Sequence, residues 1–204
     1  MQLFRDYPKK KIVLLLGHPD ASPTLCSELA LLYETAAKKA GHEVRRFNLA
    51  EMHFDPILHQ GYKARQELEP DLLALQEAVR WSEHVVIIYP TWWCSMPALL
   101  KGLFDRAWLP GFAFAMYKTG WRAKLSMSAP LLSGKTARVI TTSAGQPLLL
   151  ALFQANHTAV IRNSILQLAG IKTRVLRIGP ALLAPEWRRQ EWRKHVAYLG
   201  RLGE

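Results

Sequence analysis

The sequence predicts an α/β fold in which a parallel sheet is covered by helices on both faces. Apolar runs of strand length alternate along the chain with segments of helical periodicity, in the order β-α-β-α-β-α-β-α-β-α. Residues 12–16 are continuously apolar, which is typical of a strand buried on both faces. The 204 residues are enough for a sizeable core, so we expect a single domain over residues 1–204.

The first half of the chain predicts three strands and two helices. Residues 9–16 begin with charged side chains and continue into the first strand. Apolar residues then recur at helical spacing from Leu25, and Gly41 closes this helix. Residues 51–68 are mixed in character and predict a loop. The remaining elements of this half are a strand at 43–49, a helix from Pro70 to about Trp81 and a strand at 85–89.

The second half predicts three helices and two strands. Apolar residues at i, i+3, i+4 and i+7 predict a helix over 96–108, with Ser95 as its cap and Pro97 in its first turn. A long segment, 109–135, follows, and loops of this length in a compact domain are usually functional. The remaining elements are strands at 136–142 and 173–178, a helix over roughly 148–169 and a helix from Pro185.

Composition excludes several classes of protein. No apolar run reaches the ~18 residues that a membrane span needs, and the N-terminus lacks the apolar core of a signal peptide. The two cysteines, Cys26 and Cys94, have no paired spacing, which favours a reduced compartment, and we expect a cytoplasmic protein. The net charge of +11 suits anionic substrates; it is also the sole cue for nucleic-acid binding, which we do not expect.

Three loops are expected to meet at the functional edge of the sheet. In an open parallel sheet, ligands bind beyond the carboxyl ends of the strands. The loops that follow the first, third and fourth strands are residues 17–24, 90–95 and 141–147.

Each of these loops has a functional interpretation and a structural one. Ser22 and Thr24 can help backbone amides at a helix start to hold a phosphate, or they can simply cap the helix. Trp92 and Trp93 can stack a flat heterocycle, or they can be core or interface residues. The third loop adds hydroxyl groups and Gly145, where a backbone can approach a ligand closely.

Several well-defined motifs are missing from the sequence. It has no G-x-G-x-x-G after the first strand, no G-x-x-x-x-G-K-[ST], and no G-x-S-x-G around Ser143. The seven histidines are scattered and there is no C-x-x-C, so we expect no metal site. We expect His18 to orient backbone or face a cofactor, and Cys94 to be a small packed hydrophobic residue rather than a nucleophile.

Residues 89–114, "YPTWWCSMPALLKGLFDRAWLPGFAF", closely resemble the signature of the flavodoxin-like NAD(P)H:quinone oxidoreductases. "GHPDASPT" at 17–24 and "VITTSAG" at 139–145 resemble the first and third loops of that family, and the likeness runs from about Lys11 to Gly179. The resemblance implies a flavodoxin-like three-layer sandwich with a five-stranded parallel sheet in the order 2-1-3-4-5.

The resemblance also implies a flavin site at the three loops. His18, Ser22 and Thr24 would lie along the ribityl-phosphate. Pro90, Thr91, Trp92, Trp93 and Cys94 would line the isoalloxazine edge, and Thr141, Thr142 and Ser143 would contact its pyrimidine side. The chain length favours FMN over FAD, because the longer relatives carry an extra C-terminal segment around the adenosine.

In the family, a loop that matches Phe112, Phe114 and Met116 reaches over the flavin of the partner subunit, which implies a homodimer with two shared sites. The sequence departs from the family pattern at Cys94 and Ser95, and Ser143-Ala144 replaces Gly-Gly. The proton-relay residues of the long mammalian enzymes have no clear match, and His157 is the candidate in their place.

The implied activity is two-electron hydride transfer, by a ping-pong mechanism, from NADPH or NADH through the flavin to a quinone or similar planar acceptor. Four alternatives stay open: an azo- or nitro-reductase on the same fold, an accessory flavoprotein with a potassium-efflux transporter as its membrane partner, a one-electron carrier, and the nucleic-acid binder already mentioned. The basic charge counts against the one-electron carrier, because such carriers are usually acidic.

Overall fold

The computed structural model describes residues 8–61, 63–124, 128–146 and 158–204. Seven strands lie within this part of the chain: β1 Lys11–Leu16, β2 Glu43–Asn48, β3 His84–Pro90, β4 Phe114–Met116, β5 Ser128–Pro130, β6 Thr136–Thr142 and β7 Lys172–Ile178. Its helices are α1 Leu25–Lys39, α2 Pro70–Trp81, α3 Ala98–Ala107, α4 Gly120–Lys124 and α5 Glu186–Leu202, with a 3₁₀ turn at Leu49–Glu51 and a π-helix at Val160–Gln167.

Five of the strands form one parallel sheet in the order β2-β1-β3-β6-β7. Counted within the sheet alone, this is the order 2-1-3-4-5, so the expected topology is confirmed. β3 is central and all seven of its residues are buried, which explains its uninterrupted apolar sequence. The register places Tyr89 beside Thr141 and Pro90 beside Thr142, so β3 and β6 end side by side.

The sheet separates two hydrophobic cores. Val13 and Leu15 of β1 face the core that contains apolar residues of α2 and α3. Ile12, Leu14 and Leu16 face the other core, with residues of α1 and α5. Successive side chains of a strand point to opposite faces, so a strand covered by helices on both sides has to be apolar throughout. The expected three-layer arrangement is therefore confirmed.

α1 begins directly after the first strand-end loop because Thr24 caps it. The Thr24 hydroxyl accepts a hydrogen bond from the Ser27 amide at 3.1 Å, and the Ser27 hydroxyl accepts one from the Thr24 amide at 2.8 Å. The helix ends where Gly41 takes a φ of +88°, a conformation that glycine adopts without strain. The capping interpretation of Thr24 is confirmed.

α5 packs closely against α1 on one face of the sheet. A Cβ atom added at Gly200 would lie 2.4 Å from the carbonyl oxygen of Tyr33, so a residue with a side chain would force the two helices apart. This packing fixes α1, and with it the loop that precedes α1.

Two expectations about the second half are corrected or refined. Ser95 was expected to cap the helix after β3, but α3 begins at Ala98, Pro97 is the residue before it, and no side chain caps it. The long segment 109–135 contains the antiparallel pair β4–β5 and the short helix α4. A helix was expected at roughly 148–169, and residues 147–157 lie outside the described part of the chain. The π-helix Val160–Gln167 and the residues directly after it are the part of this helix that the structure describes.

Candidate functional site

Backbone hydrogen bonds join the loops at the carboxyl edge of the sheet. The Gly17 amide donates to the Ile88 carbonyl at 2.7 Å, which holds the first loop against β3. The Thr91 amide donates to the Thr142 carbonyl at 2.7 Å, and this bond extends the β3–β6 ladder beyond the strands. The Ser143 amide in turn donates to the Ile178 carbonyl of β7 at 2.9 Å. The three loops predicted to converge are thus brought together.

Side-chain hydroxyls tie the same loops together beneath the surface. The Thr91 and Thr141 hydroxyls are 2.5 Å apart, and the Thr142 hydroxyl lies 3.3 Å from the Cys26 thiol of α1. Thr141, Thr142 and Ser143 are all buried. These hydroxyls hold the loops in place, so a ligand at the surface meets the backbone of this loop more readily than its side chains.

The Cys26 thiol belongs to this buried layer and was not predicted to have a role. Burial raises the pKa of Cys26 to about 11, and the hydrogen bond with Thr142 offsets only part of that rise. The thiol therefore stays protonated at neutral pH and is not a nucleophile. Its position in the first turn of α1, next to the first loop, is the feature of the sequence that could have indicated its place in this buried layer.

The second loop makes a tight two-residue turn that presents both tryptophans. The backbone groups of Trp92 and Ser95 exchange two hydrogen bonds of 2.9 Å. The two residues between them, Trp93 and Cys94, have φ values of +48° and +59°. Turns of this kind normally carry Asn or Gly at such positions, so this one holds backbone strain. The turn also explains why Ser95 does not cap α3.

Both indoles lie at the surface. Trp93 is fully exposed and Trp92 is 47% exposed, which excludes the interpretation that they are core residues. The Trp92 ring contacts the His18 ring edge-on, with 5.7 Å between centroids and 83° between planes, so it also links the second loop to the first. Backbone strain of this kind is concentrated at active sites and ligand-binding sites.

His18 orients the first loop. Its Nδ1 accepts a hydrogen bond from the Asp20 amide at 3.0 Å, so the neutral imidazole carries its proton on Nε2. The expectation that His18 orients backbone is therefore confirmed.

Asp20 places a carboxylate on the donors of the first loop. It accepts hydrogen bonds from the Ser22 amide at 2.8 Å and from the Ser22 hydroxyl at 2.7 Å. The amide bond, then the hydroxyl bond, lower the pKa of Asp20, so the carboxylate is ionised at neutral pH. These two donors are thus suited to an anion. The Asp-x-Ser spacing of an Asx turn was the signal in the sequence, but Asp20 was not singled out.

The aromatic residues after α3 divide into buried and exposed ones. Phe112 is buried, with its ring edge-on to Trp108 at 5.3 Å and 86°, so it packs in the core of its own chain. Phe114 is half-buried and Met116 is exposed on β4. His157 lies outside the described residues.

The described residues contain neither a metal-binding cluster nor a membrane-spanning helix. None of their His, Cys, Asp and Glu side chains form a group of three that could hold a metal ion. None of their helices combines the length and the apolar character that crossing a membrane requires.

Comparison with known proteins agrees with this geometry. A family model described as "Flavodoxin-like fold" matches residues 10–174. A ribosyldihydronicotinamide dehydrogenase [quinone] from Pongo abelii is 30% identical over 133 residues, which are 64% of this chain and 53% of that protein. This chain thus spans about half the length of that relative.

Solved structures of the same fold cover nearly the whole chain. An NAD(P)H:quinone oxidoreductase from Methanothermobacter marburgensis has a TM-score of 0.78 at 21% identity, covering 97% of this chain and 100% of that one. An FMN-dependent NADH-azoreductase from Bacillus anthracis str. Ames Ancestor, in complex with FMN, has a TM-score of 0.71 at 19% identity, covering 94% and 98%. The resemblance carried by residues 89–114 is confirmed: the chain belongs to the flavodoxin-like fold family.

Proposed function

We propose that this chain is a flavin-dependent NAD(P)H:quinone oxidoreductase. The observation that carries the proposal is the strained Trp93–Cys94 turn, which holds two exposed indoles where three strand-end loops meet. A flat apolar heterocycle is the ligand such a surface suits, because indole faces stack on planar rings. The names of the relatives point to the same activity.

The donor set fits a flavin that carries a phosphate. The Ser22 amide and hydroxyl already hold a carboxylate, and a cofactor phosphate would take its place. Ser22, Trp92 and Trp93 are the exposed members of the expected set, and His18 and Cys94 are half-buried beside them, so we assign these five the direct contacts. Thr24, Pro90, Thr91, Thr141 and Thr142 hold the loops in shape beneath them. We favour FMN over FAD on chain length.

A bound flavin would accept a hydride from NAD(P)H and pass two electrons to a quinone. The chain's own contribution is an apolar aromatic wall, which suits two planar substrates that use one place in turn and keeps water from it. The net charge of +11 would raise the encounter rate with anionic NAD(P)H.

The homodimer with shared sites stays part of the proposal. Phe114 and Met116 reach the surface on β4 and are the residues we assign to the contact with the partner's flavin. A proton-relay role for His157, the cytoplasmic location and the transporter partner stay predictions from the sequence.

The test is to reconstitute the full chain with FMN, reduce it anaerobically with NADPH or NADH, and add a quinone. We expect the flavin absorbance to bleach and then return within one turnover. Trp92→Ala should weaken FMN binding about fivefold or more, because base–aromatic contacts of this kind contribute about 1–3 kcal/mol. Trp187→Ala removes a more exposed indole from α5 and serves as the matched control. Failure to bind FMN or FAD would contradict the proposal.

An azo- or nitro-reductase activity is tested in the same assay. Replacing the quinone by an azo dye or a nitroaromatic compound shows which acceptor reoxidises the protein fastest. Negligible turnover with all three acceptors, together with capture of a potassium-efflux transporter, would instead support the accessory role.

A further inference from the structure

A cavity lies at the opposite end of the sheet from the strand-end loops. Its volume is about 510 Å³, and α2, the turn after α3 and residues from 58–61 and 63–68 form its walls. Arg80, in the last turn of α2, lines it. The carbonyl of Arg80 accepts a hydrogen bond from the Lys135 side chain at 3.0 Å, and Lys135 directly precedes β6. The cavity is therefore at the amino ends of the strands, away from the proposed flavin site.

Three cations surround this cavity. Lys63, Arg65 and Arg80 line it, and none of the described lining residues is acidic. Within the described part of the chain, none of these three side chains is in an ion pair, whereas Lys38, Lys101 and Arg193 elsewhere on the surface are all paired with carboxylates. Unpaired charges of one sign around a concave surface concentrate the field and attract a ligand of opposite charge.

The floor of the cavity is apolar. Phe112 and Leu109 line it on one side and Leu68 on another. The Arg80 guanidinium lies 4.8 Å from the centroid of the Phe112 ring, a cation–π contact that keeps the charge over the apolar floor. A planar ring lying on this floor would have its substituents close to the three cations.

The walls are fixed by hydrogen bonds that do not depend on a ligand. The Gln76 amide nitrogen donates to the Ala107 carbonyl at 2.7 Å, joining α2 to the end of α3. The Gln66 side chain donates to the Ile57 carbonyl at 3.1 Å and accepts from the His59 amide at 3.2 Å, which holds Gln66 against residues 57–59. A volume of this size with fixed walls is in the range of small-molecule sites, ~300–1,000 Å³.

We propose that this cavity binds a small organic anion in which a phosphate, sulfonate or carboxylate is attached to a planar apolar ring. The ring lies against Leu109 and Leu68, and the anionic group is held by Arg80, which stacks over Phe112, together with Lys63 and Arg65. This site is separate from the proposed flavin site and does not depend on the proposed function.

The test is calorimetric titration of the full chain with 1-naphthyl phosphate and with 1-naphthol, which has the same ring and no charge. We expect the phosphate to bind at least tenfold more tightly than the alcohol and its affinity to fall with added salt. Arg80→Gln should weaken binding about fivefold, the scale of one partly exposed charge pair, and Lys63→Gln with Arg65→Gln should weaken it further. Arg80→Lys should retain most of the affinity.

Two controls locate the site. Lys39→Gln removes an exposed cation from α1, on the other face of the sheet, and should leave the affinity unchanged. Trp92→Ala should also leave it unchanged, because Trp92 is at the other end of the sheet. Equal binding of 1-naphthol, an equal loss in Lys39→Gln, or a loss in Trp92→Ala would overturn the proposal. Because Lys63 and Arg65 are exposed, their variant keeps the test decisive should Arg80→Gln fold poorly.

Discussion

Arg106 donates two parallel hydrogen bonds to the Glu69 carboxylate, from Nη1 to Oε1 at 3.1 Å and from Nη2 to Oε2 at 3.0 Å. The Arg106 side chain is completely buried, and Nη1 and Nη2 also donate to the carbonyls of Asp55 and Glu67, whereas Nε has no hydrogen-bond partner among the described residues. One guanidinium thus fastens the segment between β2 and α2 to α3.

Replacing Arg106 by Gln should therefore destabilise the fold by about 3 kcal/mol. The substitution removes both guanidinium bonds from the Glu69 carboxylate, which keeps the Asp55 amide as a donor, and it leaves two carbonyls without the donors that Arg106 supplied. Urea unfolding measures the change. Lys101→Gln breaks the exposed Lys101–Asp105 pair of the same helix and should cost less than about 1 kcal/mol. A similar loss of stability in the two variants would contradict this role of the buried Arg106–Glu69 contact.

His84 gives the protein a pH-dependent stability. It is buried at the start of β3, with Nδ1 2.7 Å from the Thr136 hydroxyl. Burial, followed by the nearby charges of Lys10 and Arg138, lowers the pKa of His84 from 6.5 to about 3. Between these two values the unfolded chain binds a proton that the folded chain excludes. Stability is therefore lost as the pH falls from about 6.5 toward about 3.

The variant His84→Gln should flatten this part of the stability profile. The contribution of His84 approaches about 1.4 kcal/mol per pH unit within the window, and Gln has no proton to gain. Urea unfolding at several pH values measures the slope. His195→Gln is the control, because His195 is exposed and its solvation changes little on unfolding. A wild-type slope in His84→Gln would show that other groups cause the pH dependence.

Asp20 should weaken the binding of a phosphorylated cofactor. Its carboxylate holds the Ser22 amide and hydroxyl, which are the donors that we assign to the flavin phosphate. Asp20→Asn removes the competing charge, so the affinity for FMN should rise severalfold, measured by quenching of flavin fluorescence. Riboflavin has no phosphate, and its affinity should stay the same. If both flavins gain equally in Asp20→Asn, the effect is not on the phosphate, whereas no binding of either would contradict the proposed function itself.

The parts of the fold that could be predicted from the sequence are those whose signal is local. The inner strands β1 and β3 are largely apolar runs, because a strand covered on both faces has no polar position to offer. The edge strands β2 and β7 carry charged residues and give a weaker signal. From the sequence, Ser22 and Thr24 are equally suited to cap α1. Only the fold decides between them, because it shows that the Ser22 hydroxyl is bonded to Asp20. Arg106 and Glu69 are 37 residues apart, so their contact follows from the packing of α3 and not from any pattern.

The turn of the second loop could not be predicted for a different reason. Trp93 and Cys94 are residue types that rarely adopt positive φ, so nothing in their identity signals the turn. The Thr91–Thr142 hydrogen bond and the start of α3 fix the chain on either side and impose it. Ser95, which looked like a helix cap, is the second partner in that turn.

This strain makes glycine substitutions at neighbouring positions act in opposite directions. Cys94→Gly should stabilise the fold by roughly 0.5–1 kcal/mol, because glycine adopts a φ of +59° without the penalty that a Cβ brings. Ser95→Gly, one residue on, should destabilise it by roughly 0.5–1 kcal/mol, because Ser95 is not in the positive-φ region and glycine only adds freedom to the unfolded chain. Thermal unfolding of the two variants measures both changes. Glycine also gives the turn more conformational freedom, so we expect Cys94→Gly to weaken FMN binding even though it stabilises the fold. A Cys94→Gly variant that gains stability and keeps its full FMN affinity would show that the strain serves no purpose in binding.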